Sequence, residues 1–323
     1  MATRPASPPS VRVGLVAYNG ERFIAATIES ILAQTYTDFE LVIADDASTD
    51  ATEEICRRYA ARDSRVRYHR NQRNLGAAPN FNHVFELAGP SRYFKWSAHD
   101  DLITPDYLER CVAALDGDPD AVLCQSWIGV IDERGELIGR LPSRLDRKES
   151  PDPVERFGCA VLRHHMALEI LGVIRTDVLG TTRLNGGYPR SDSALVAELA
   201  LAGRFIEIPE PLFLSRDHPA RFMRAVAHDA QAAIAWYDSS KAGQRFSPTW
   251  KLYRAYLEMV RRRVASPTER LRCYGHLLRW FGVNWNALRL GVEAIGAIEP
   301  RTLSVAMRAK RRLFGSVLPD FRK

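Results

Sequence analysis

Nowhere in the 323 residues do roughly 18 uncharged apolar residues run together, so no segment reads as a membrane-spanning helix. Cysteine is scarce. Cys56, Cys111, Cys124, Cys159 and Cys273 follow no CxxC or Cys/His spacing, which argues against a structural zinc site and reads as reduced, mostly buried thiols in a cytoplasmic protein. The opening MATRPASPPSVR lacks the apolar core of a signal peptide, and residues 1–10 read as a disordered lead-in. Glycine-rich phosphate loops of the GxxxxGK[ST] or GxGxxG kind are also missing, which argues against P-loop and dinucleotide-binding chemistry. Internal repeats and low-complexity tracts are absent as well.

What is present is an ordinary globular composition, 46% hydrophobic and 26% charged, with an uneven charge. The net charge of +6 hides 25 Lys and Arg against 32 Asp and Glu in residues 1–220, then 20 against 7 in residues 221–323. An acidic domain over residues 11–220 and a basic helical region over residues 221–323 are expected. The first half alternates strand-like and helix-like segments, the mark of a mainly parallel sheet flanked by helices. Strands are expected at Val11–Ala17, Phe39–Ala44, Val66–His69 and Arg92–Ser97, with helices at Glu21–Gln34, Asn80–Ala88 and Asp106–Leu115. Asp50 and Glu53 read as a capping box for a helix through Ala61. Later come short strands at Ala121–Trp127, Gly129–Ile131, Phe205–Ile208 and Leu212–Ser215, and helices at Val154–His164 and Ser191–Ala202.

In an open parallel sheet, ligands gather where strands end at their carboxyl edge. Three such ends carry polar residues here: Tyr18-Asn19, Asp45-Asp46 and His99-Asp100-Asp101. Asp and Asn also cap loops for structural reasons alone, but three polar ends on one edge point to a site. Adjacent carboxylates suit Mg²⁺ or Mn²⁺, which use one or two protein carboxylates and complete their shell with phosphate and water.

The run VGLVAYNGERFIAATIESILAQTYTDFELVIADDASTD resembles the opening of family 2 glycosyltransferases of the A-type fold, a Rossmann-like α/β sheet. Those read P-x-YN, S-[IL]-L-x-QT, then a strand ending DD-x-ST-D. Asn74-Leu75-Gly76, Asn82, the strand into His99-Asp100-Asp101, and Gly187-Tyr188 before Ser191-Asp192 continue the likeness in order, over roughly residues 11 to 218. The resemblance implies a nucleotide-sugar-binding and catalytic domain followed by an α-helical extension. It places Tyr18 against the nucleobase, Ala17 as a backbone contact and Asp46 on the base edge, with Asp45 supporting that loop and Asn19 and Asn74 in the nucleotide-binding set. Asp100 would approach the ribose or the metal, Asp101 would ligate the metal, and Asp192 would be the general base of an inverting transfer. The donor would be a UDP-, GDP- or dTDP-sugar, and the acceptor a saccharide or a lipid-linked one. Two departures stand out: Val16 replaces the usual proline, and the commoner D-x-D reads His99-Asp100-Asp101. A catalytically inactive nucleotide-sugar-binding or scaffold protein is the alternative. A nucleotidyltransferase would need a basic glycine-rich loop that Ala17-Tyr18-Asn19-Gly20 does not supply.

Several readings stay open at this level. Ser191-Asp192 is also an ordinary helix N-cap. Arg216-Asp217-His218, with Arg221 beyond, reads either as a loop closing over diphosphate, with His218 a metal ligand or phosphate donor, or as a solvated hinge. His99 stands with Arg216 and Arg221 as a diphosphate or acceptor contact, whereas His164-His165 reads either as a pair facing an acceptor or, the favoured reading, as a surface pair. In the basic rear, Trp250, Tyr253, Leu257, Val260 and Val264 fall at helical spacing beside Arg261, Arg262 and Arg263. Leu271, Tyr274, Leu278, Phe281, Trp285 and Leu288 repeat the pattern, Trp280 widens that face, and Arg308, Lys310, Arg311 and Arg312 follow. Such stripes either pack as core or lie on an anionic membrane as a peripheral anchor on its inner face. No nucleic-acid-binding motif accompanies the charge, so nucleic acid is not an expected partner, and a homo-oligomer is left open.

Overall fold

The computed structural model describes residues 8–226, 229–244 and 247–298. Its first half follows the expected alternation: β1 (Val11–Ala17), α1 (Ile24–Leu32), β2 (Phe39–Asp45), α2 (Thr52–Arg62), β3 (Val66–Arg70), α3 (Ala77–Ala88) and β4 (Tyr93–Ala98). Then come β5 (Leu102–Ile103), α4 (Tyr107–Gly117), β6 (Ala121–Ile131), β7 (Leu137–Leu141), α5 (Pro153–Leu162), β8 (Val173–Arg175), α6 (Thr176–Gly180), α7 (Ser191–Ala202) and β9 (Arg204–Arg216). The described part of the rear segment holds α8 (Phe222–Ala225), α9 (Ala230–Tyr237), a 3₁₀ turn (Ser239–Lys241), α10 (Pro248–Arg263), α11 (Pro267–Trp280) and α12 (Asn286–Ile298).

The strands form one mixed sheet in the order β3-β2-β1-β4-β8-β6-β9-β5, with β7 beside β6. The β3-β2-β1-β4 block is parallel, and all seven residues of β1 are buried, as a strand covered on both faces requires. From β1 the chain goes first to β2 on one side and later to β4 on the other. The carboxyl ends of β1 and β4 therefore flank a switch point, where a doubly wound sheet opens a crevice.

Two pairs of expected strands are each one continuous strand. Pro209 and Pro211 lack the N–H that a ladder needs, so the β6–β9 register jumps from Ser126↔Ile208 to Ile128↔Phe213 while the strand runs on. The Ser126 hydroxyl accepts the Phe213 N–H across this bulge at 3.0 Å. The expected capping box at α2 does not form. Asp50 accepts the Thr52 and Glu21 N–H groups, each at 3.0 Å, while Glu53 pairs with Arg57 and Arg70. The short strands β5 and β8, of two and three residues, carry too few residues for a period-2 pattern to register.

The core does not stop at residue 220. Leu252, Tyr256, Val260, Cys273, Leu277 and Trp280 are buried in the same cluster as the sheet residues, and Phe157 meets Tyr256 edge-on at 6.3 Å. The helical stripes expected in the rear are divided by this packing. Val260, Val264 and Trp280 are buried, whereas Leu271 (72% exposed), Leu278 (70%), Trp285 (64%) and Leu288 (59%) face solvent. Arg308, Lys310, Arg311 and Arg312 lie outside the described residues, as do residues 1–7 of the expected lead-in.

Candidate active site

The ends of β1 and β2 are sewn together by short polar side chains. Asn19 adopts a left-handed φ of 49°, which turns its Oδ1 to accept the Thr49 N–H at 2.8 Å while its own N–H donates to Ser48 Oγ at 2.9 Å. Asp45 is fully buried. One carboxylate oxygen accepts the Ser48 N–H at 2.9 Å, and the other accepts the Tyr68 hydroxyl at 2.7 Å. Asp46 accepts Asn71 Nδ2 at 2.9 Å, the Leu75 N–H at 2.8 Å and the Gly76 N–H at 3.0 Å. Its negative charge thus sits at the start of α3, where the helix dipole favours it. Asn74 accepts the Gly76 N–H at 2.9 Å. Gly76 has a φ of 93°, and a Cβ there would come within 2.8 Å of the Asp238 backbone, so both conformation and space call for glycine. Tyr18, 44% exposed, stands clear at the tip of β1, and Ala17 is buried beneath it.

At the end of β4, His99 lies over Gly20, where an added Cβ would meet its ring at 2.6 Å. Asp100 and Asp101 are adjacent but differently placed. Asp100 Oδ2 faces His218 Nε2 at 2.9 Å. Burial raises its pKa, but that hydrogen bond, with His99 and Arg221 nearby, holds the carboxyl below its usual range. Asp101 is buried against β9, accepting the Arg216 N–H at 2.9 Å. Burial and the Asp100 charge push its pKa up, against the pull of Arg221 and Ser215. Asp100 is therefore the less buried carboxylate, its side chain 15% exposed beside the buried His218, and Asp101 is braced behind it.

The loop after β9 also sorts its cations. Arg216 spends its guanidinium on the carbonyls of Asp100 (3.0 Å) and Asp132 (2.9 Å), and lies 4.7 Å over the Phe23 ring. It braces the loop and is not presented as a diphosphate clamp. Arg221 donates to Ser215 Oγ at 2.8 Å and acts electrostatically on both Asp100 and Asp101, so it is the cation better placed beside the pair. The loop is thus a braced element and not a solvated hinge.

Asp192 sits in the first turn of α7, partly exposed at its surface yet crowded by protein. Burial raises its pKa, opposed by the Ser193 N–H at 2.8 Å, by His165 and Arg190, and by the Tyr237 hydroxyl at 3.5 Å. The loop before it is tied to the nucleotide side in two places. Asn82 on α3 exchanges hydrogen bonds with the Asn185 backbone at 2.8 and 3.0 Å, and Lys241 Nζ donates to the Gly187 carbonyl at 3.0 Å. Ser239 in turn donates its N–H to the Leu75 carbonyl at 3.1 Å and its hydroxyl to the Asn74 carbonyl at 2.7 Å. The turn after α9 therefore joins the Asp46 loop to the Asp192 loop. Nothing in the sequence marked Tyr237, Ser239 or Lys241 for this role. His165 was expected at the surface but has a buried ring, facing the Ala160 carbonyl at 3.0 Å and Glu169 at 3.6 Å, while His164 is exposed. A cavity of about 340 Å³ between α7 and α10, lined by Arg183, Tyr188, Glu198, Lys251, Arg254 and Glu258 among others, is a gap between helices and contains none of the strand-end residues.

Residues 13–170 match the family model described as Glycosyl transferase family 2. EpsE of Bacillus subtilis is 40% identical over 139 residues, covering 42% of this chain and 50% of its own length. An uncharacterized glycosyltransferase of Haemophilus influenzae is 27% identical over 214 residues, covering 65% and 66%. The chain spans about half the length of the first curated relatives it matches, 50% and 49%. Among solved structures, TarS 1-349 of S. aureus in complex with UDP superposes with a TM-score of 0.61 at 15% identity, over 85% of this chain and 72% of that one. Mannosyltransferase PcManGT of Pyrobaculum calidifontis, in complex with GDP-Man and Mn2+, gives 0.52 at 17% identity, over 97% and 90%. At these identities the likeness is one of fold. Residues 13–170 thus carry the sequence pattern of glycosyl transferase family 2, and the fold is the A-type glycosyltransferase fold.

Proposed function

We propose that the chain is an inverting glycosyltransferase, moving a sugar from a UDP-, GDP- or dTDP-sugar to a hydroxyl of a saccharide or lipid-linked acceptor. The observation that carries this reading is Asp192, a reachable carboxylate with a raised pKa, whose loop is tied through Asn185 to α3 and through Gly187 to Lys241 in the turn after α9. A general base works best with a pKa near its operating pH, and burial moves a carboxyl that way. The acceptor hydroxyl gives its proton to Asp192 as its oxygen bonds to the anomeric carbon. The bond from that carbon to the diphosphate oxygen breaks, and the diphosphate leaves with the electron pair. One displacement on the face opposite the leaving group inverts the anomeric centre. Tyr18 offers an exposed ring for the nucleobase, and Asp46 holds the Asn71–Gly76 loop beside it.

Asp100, His218 and Asp101 fit a Mn2+ or Mg2+ ion. Asp100 faces the His218 imidazole at 2.9 Å with Asp101 next to it in the chain, and such ions take their remaining ligands from phosphate and water. Among the described residues no group of three or more His, Cys, Asp or Glu is already gathered as a cage, so the donor diphosphate would complete the shell. When bound, the ion would neutralise charge on the leaving diphosphate. The exposed Leu271, Leu278, Trp285 and Leu288 support a second part of the reading, contact with an anionic membrane. Among the described residues no helix is long and apolar enough to cross one. Co-sedimentation with vesicles containing anionic lipid, lost in Leu278→Glu with Trp285→Glu, tests that part.

The enzymatic reading is tested by donor hydrolysis and transfer across a panel of UDP-, GDP- and dTDP-sugars, with and without Mn2+. Metal-dependent turnover of one donor is expected. Nucleotide binding with no turnover on any donor would leave a binding protein instead.

A further inference from the structure

We infer that the acceptor side of the site carries a subsite for a phosphate-type anion, built on Arg190 and completed by Arg289 and His164. The acceptor would then be an anionic saccharide, such as one bearing a phosphate, and not a neutral glycan. This rests on Asp192 as the base that faces the acceptor.

Of the ten buried side-chain atoms without a hydrogen-bond partner among the described residues, three lie in the loop leading into α7. Asn185 Nδ2, Arg190 Nη1 and Ser191 Oγ are each buried without a hydrogen-bond partner, and all three fall within the seven residues before Asp192. Buried polar groups in folded proteins are nearly always satisfied, so a cluster of exceptions calls for an explanation. All three atoms can donate, so what they lack is an acceptor. Asn185 and Ser191 are also 8% and 1% exposed, so their side chains cannot swing out to water without moving the loop. Arg190 adopts a left-handed φ of 72° although it carries a side chain, a costly backbone conformation.

The surroundings are cationic. Arg289 on α12 and Arg190 act on each other electrostatically, and burial together with Arg190, Arg144 and Arg289 lowers the His164 pKa, so that its imidazole is a neutral hydrogen-bonding group beside the arginines. The acidic groups facing this cluster are Asp192 beside Arg190 and Glu293 beside Arg289. Glu293 is already engaged, accepting the Thr249 N–H at 3.0 Å and the Trp250 N–H at 3.3 Å at the start of α10. Positive charge is thus in excess. Guanidinium groups bind phosphate through paired N–H donors, the kind of contact that Arg190 leaves unused. The neighbours of Arg190 come from α9, α10 and α12, through Tyr237, Tyr256 and Arg289. The cation and imidazole beside Asp100–Asp101, Arg221 and His218, follow β9 instead. The two groups therefore serve different phosphates, the second one that of the donor.

The test uses the full chain, saturated with whichever of UDP or GDP it binds, titrated with glucose 6-phosphate and with glucose by calorimetry. Glucose 6-phosphate is expected to bind and glucose not measurably. Arg190→Gln and Arg289→Gln should each weaken sugar-phosphate binding about tenfold, and Arg190→Lys should retain more of it than Arg190→Gln. Nucleotide affinity should change less than about twofold in all three variants, since their phosphate contacts are independent. If Arg190→Gln fails to fold, Arg289→Gln and Arg190→Lys still decide the matter. Equal binding of the sugar and its phosphate, or wild-type binding in Arg289→Gln, would overturn the subsite. So would displacement of the sugar phosphate by the nucleotide, which would assign these cations to the donor diphosphate. A failed glycosyltransferase reading would register separately, as absence of nucleotide binding and donor hydrolysis.

Discussion

The two sides of the site are built on opposite plans. On the nucleotide side, around Asp45 and Asp46, the polar atoms that meet are paired with each other, and most partners come from within about thirty residues along the chain. On the acceptor side, Asp192 is ringed by groups drawn from far apart, Tyr237 and His165 among them, and the loop before it leaves donors unpaired. The first plan secures a shape and the second keeps groups poised for a ligand. Substitutions should separate them: on the nucleotide side they cost stability, and on the acceptor side they cost activity.

The largest expected effect is on transfer by Asp192→Asn. Loss of a general base costs about 10²- to 10⁴-fold in rate, and nucleotide affinity should hold because the strand ends are untouched. Transfer and nucleotide binding measured on the same preparation check this, and undiminished transfer would end the base assignment. Stability should move the other way, since removing a buried charge relieves its desolvation. The melting temperature of this variant at neutral pH is expected to match or exceed that of the wild type.

Asp46→Ala is the complementary break. It strips acceptors from the Leu75 and Gly76 N–H groups and from the Asn71 amide, and buried donors left unsatisfied cost about 1–3 kcal/mol each before relaxation. A loss of about 3 kcal/mol in urea unfolding is expected, together with weakened nucleotide binding. A stability loss under about 0.5 kcal/mol would mean the loop is not held by this carboxylate.

How far these sides could be foreseen follows the same division. The strands of the parallel block and the polar residues at their ends were legible, because alternation, buried runs and adjacency are local properties. The span of α7 was also legible from its apolar run and the glycine that follows. Asp192 as a base came only through the family resemblance, since Ser-Asp before a helix is chemically indistinguishable from a cap. The contacts that place Tyr237, Ser239 and Lys241 beside the site are formed by tertiary packing over gaps of 45 to 165 residues, on which local pattern is silent. Charge was misleading at Arg216, whose guanidinium is consumed by two backbone carbonyls and a ring. The charge asymmetry also suggested a boundary near residue 220, whereas the apolar core runs across it.

The pH dependence offers a finer contrast, because one group gives opposite signs to rate and stability. Asp192 must be ionised to act as a base, so the transfer rate should rise with pH through its raised pKa. The folded state holds that proton more tightly than the unfolded chain. Its contribution to stability is therefore fully present below the ordinary carboxyl pKa of about 4 and is lost as pH rises through the folded value. Asp192→Asn should flatten this part of the stability profile. A wild-type rate that falls with pH across the acidic limb would reverse the assignment and make Asp192 an acid.

The smallest effect is expected from Tyr237→Phe. The hydroxyl stands 3.5 Å from Asp192, a long contact that favours the ionised carboxylate weakly. Tyr237 packs against Phe222 and Trp236, with ring centroids 5.5 and 5.1 Å apart, and the phenylalanine ring would keep that packing. Removing only the hydroxyl should shift the acidic limb of the rate profile to higher pH and lower the rate by about threefold or less near its midpoint. The plateau at higher pH should be unchanged, because there Asp192 is ionised with or without its neighbour. A lowered plateau with an unmoved limb would instead mean that Tyr237 orients the acceptor. The acceptor side would then rely on fixed geometry, as the nucleotide side does.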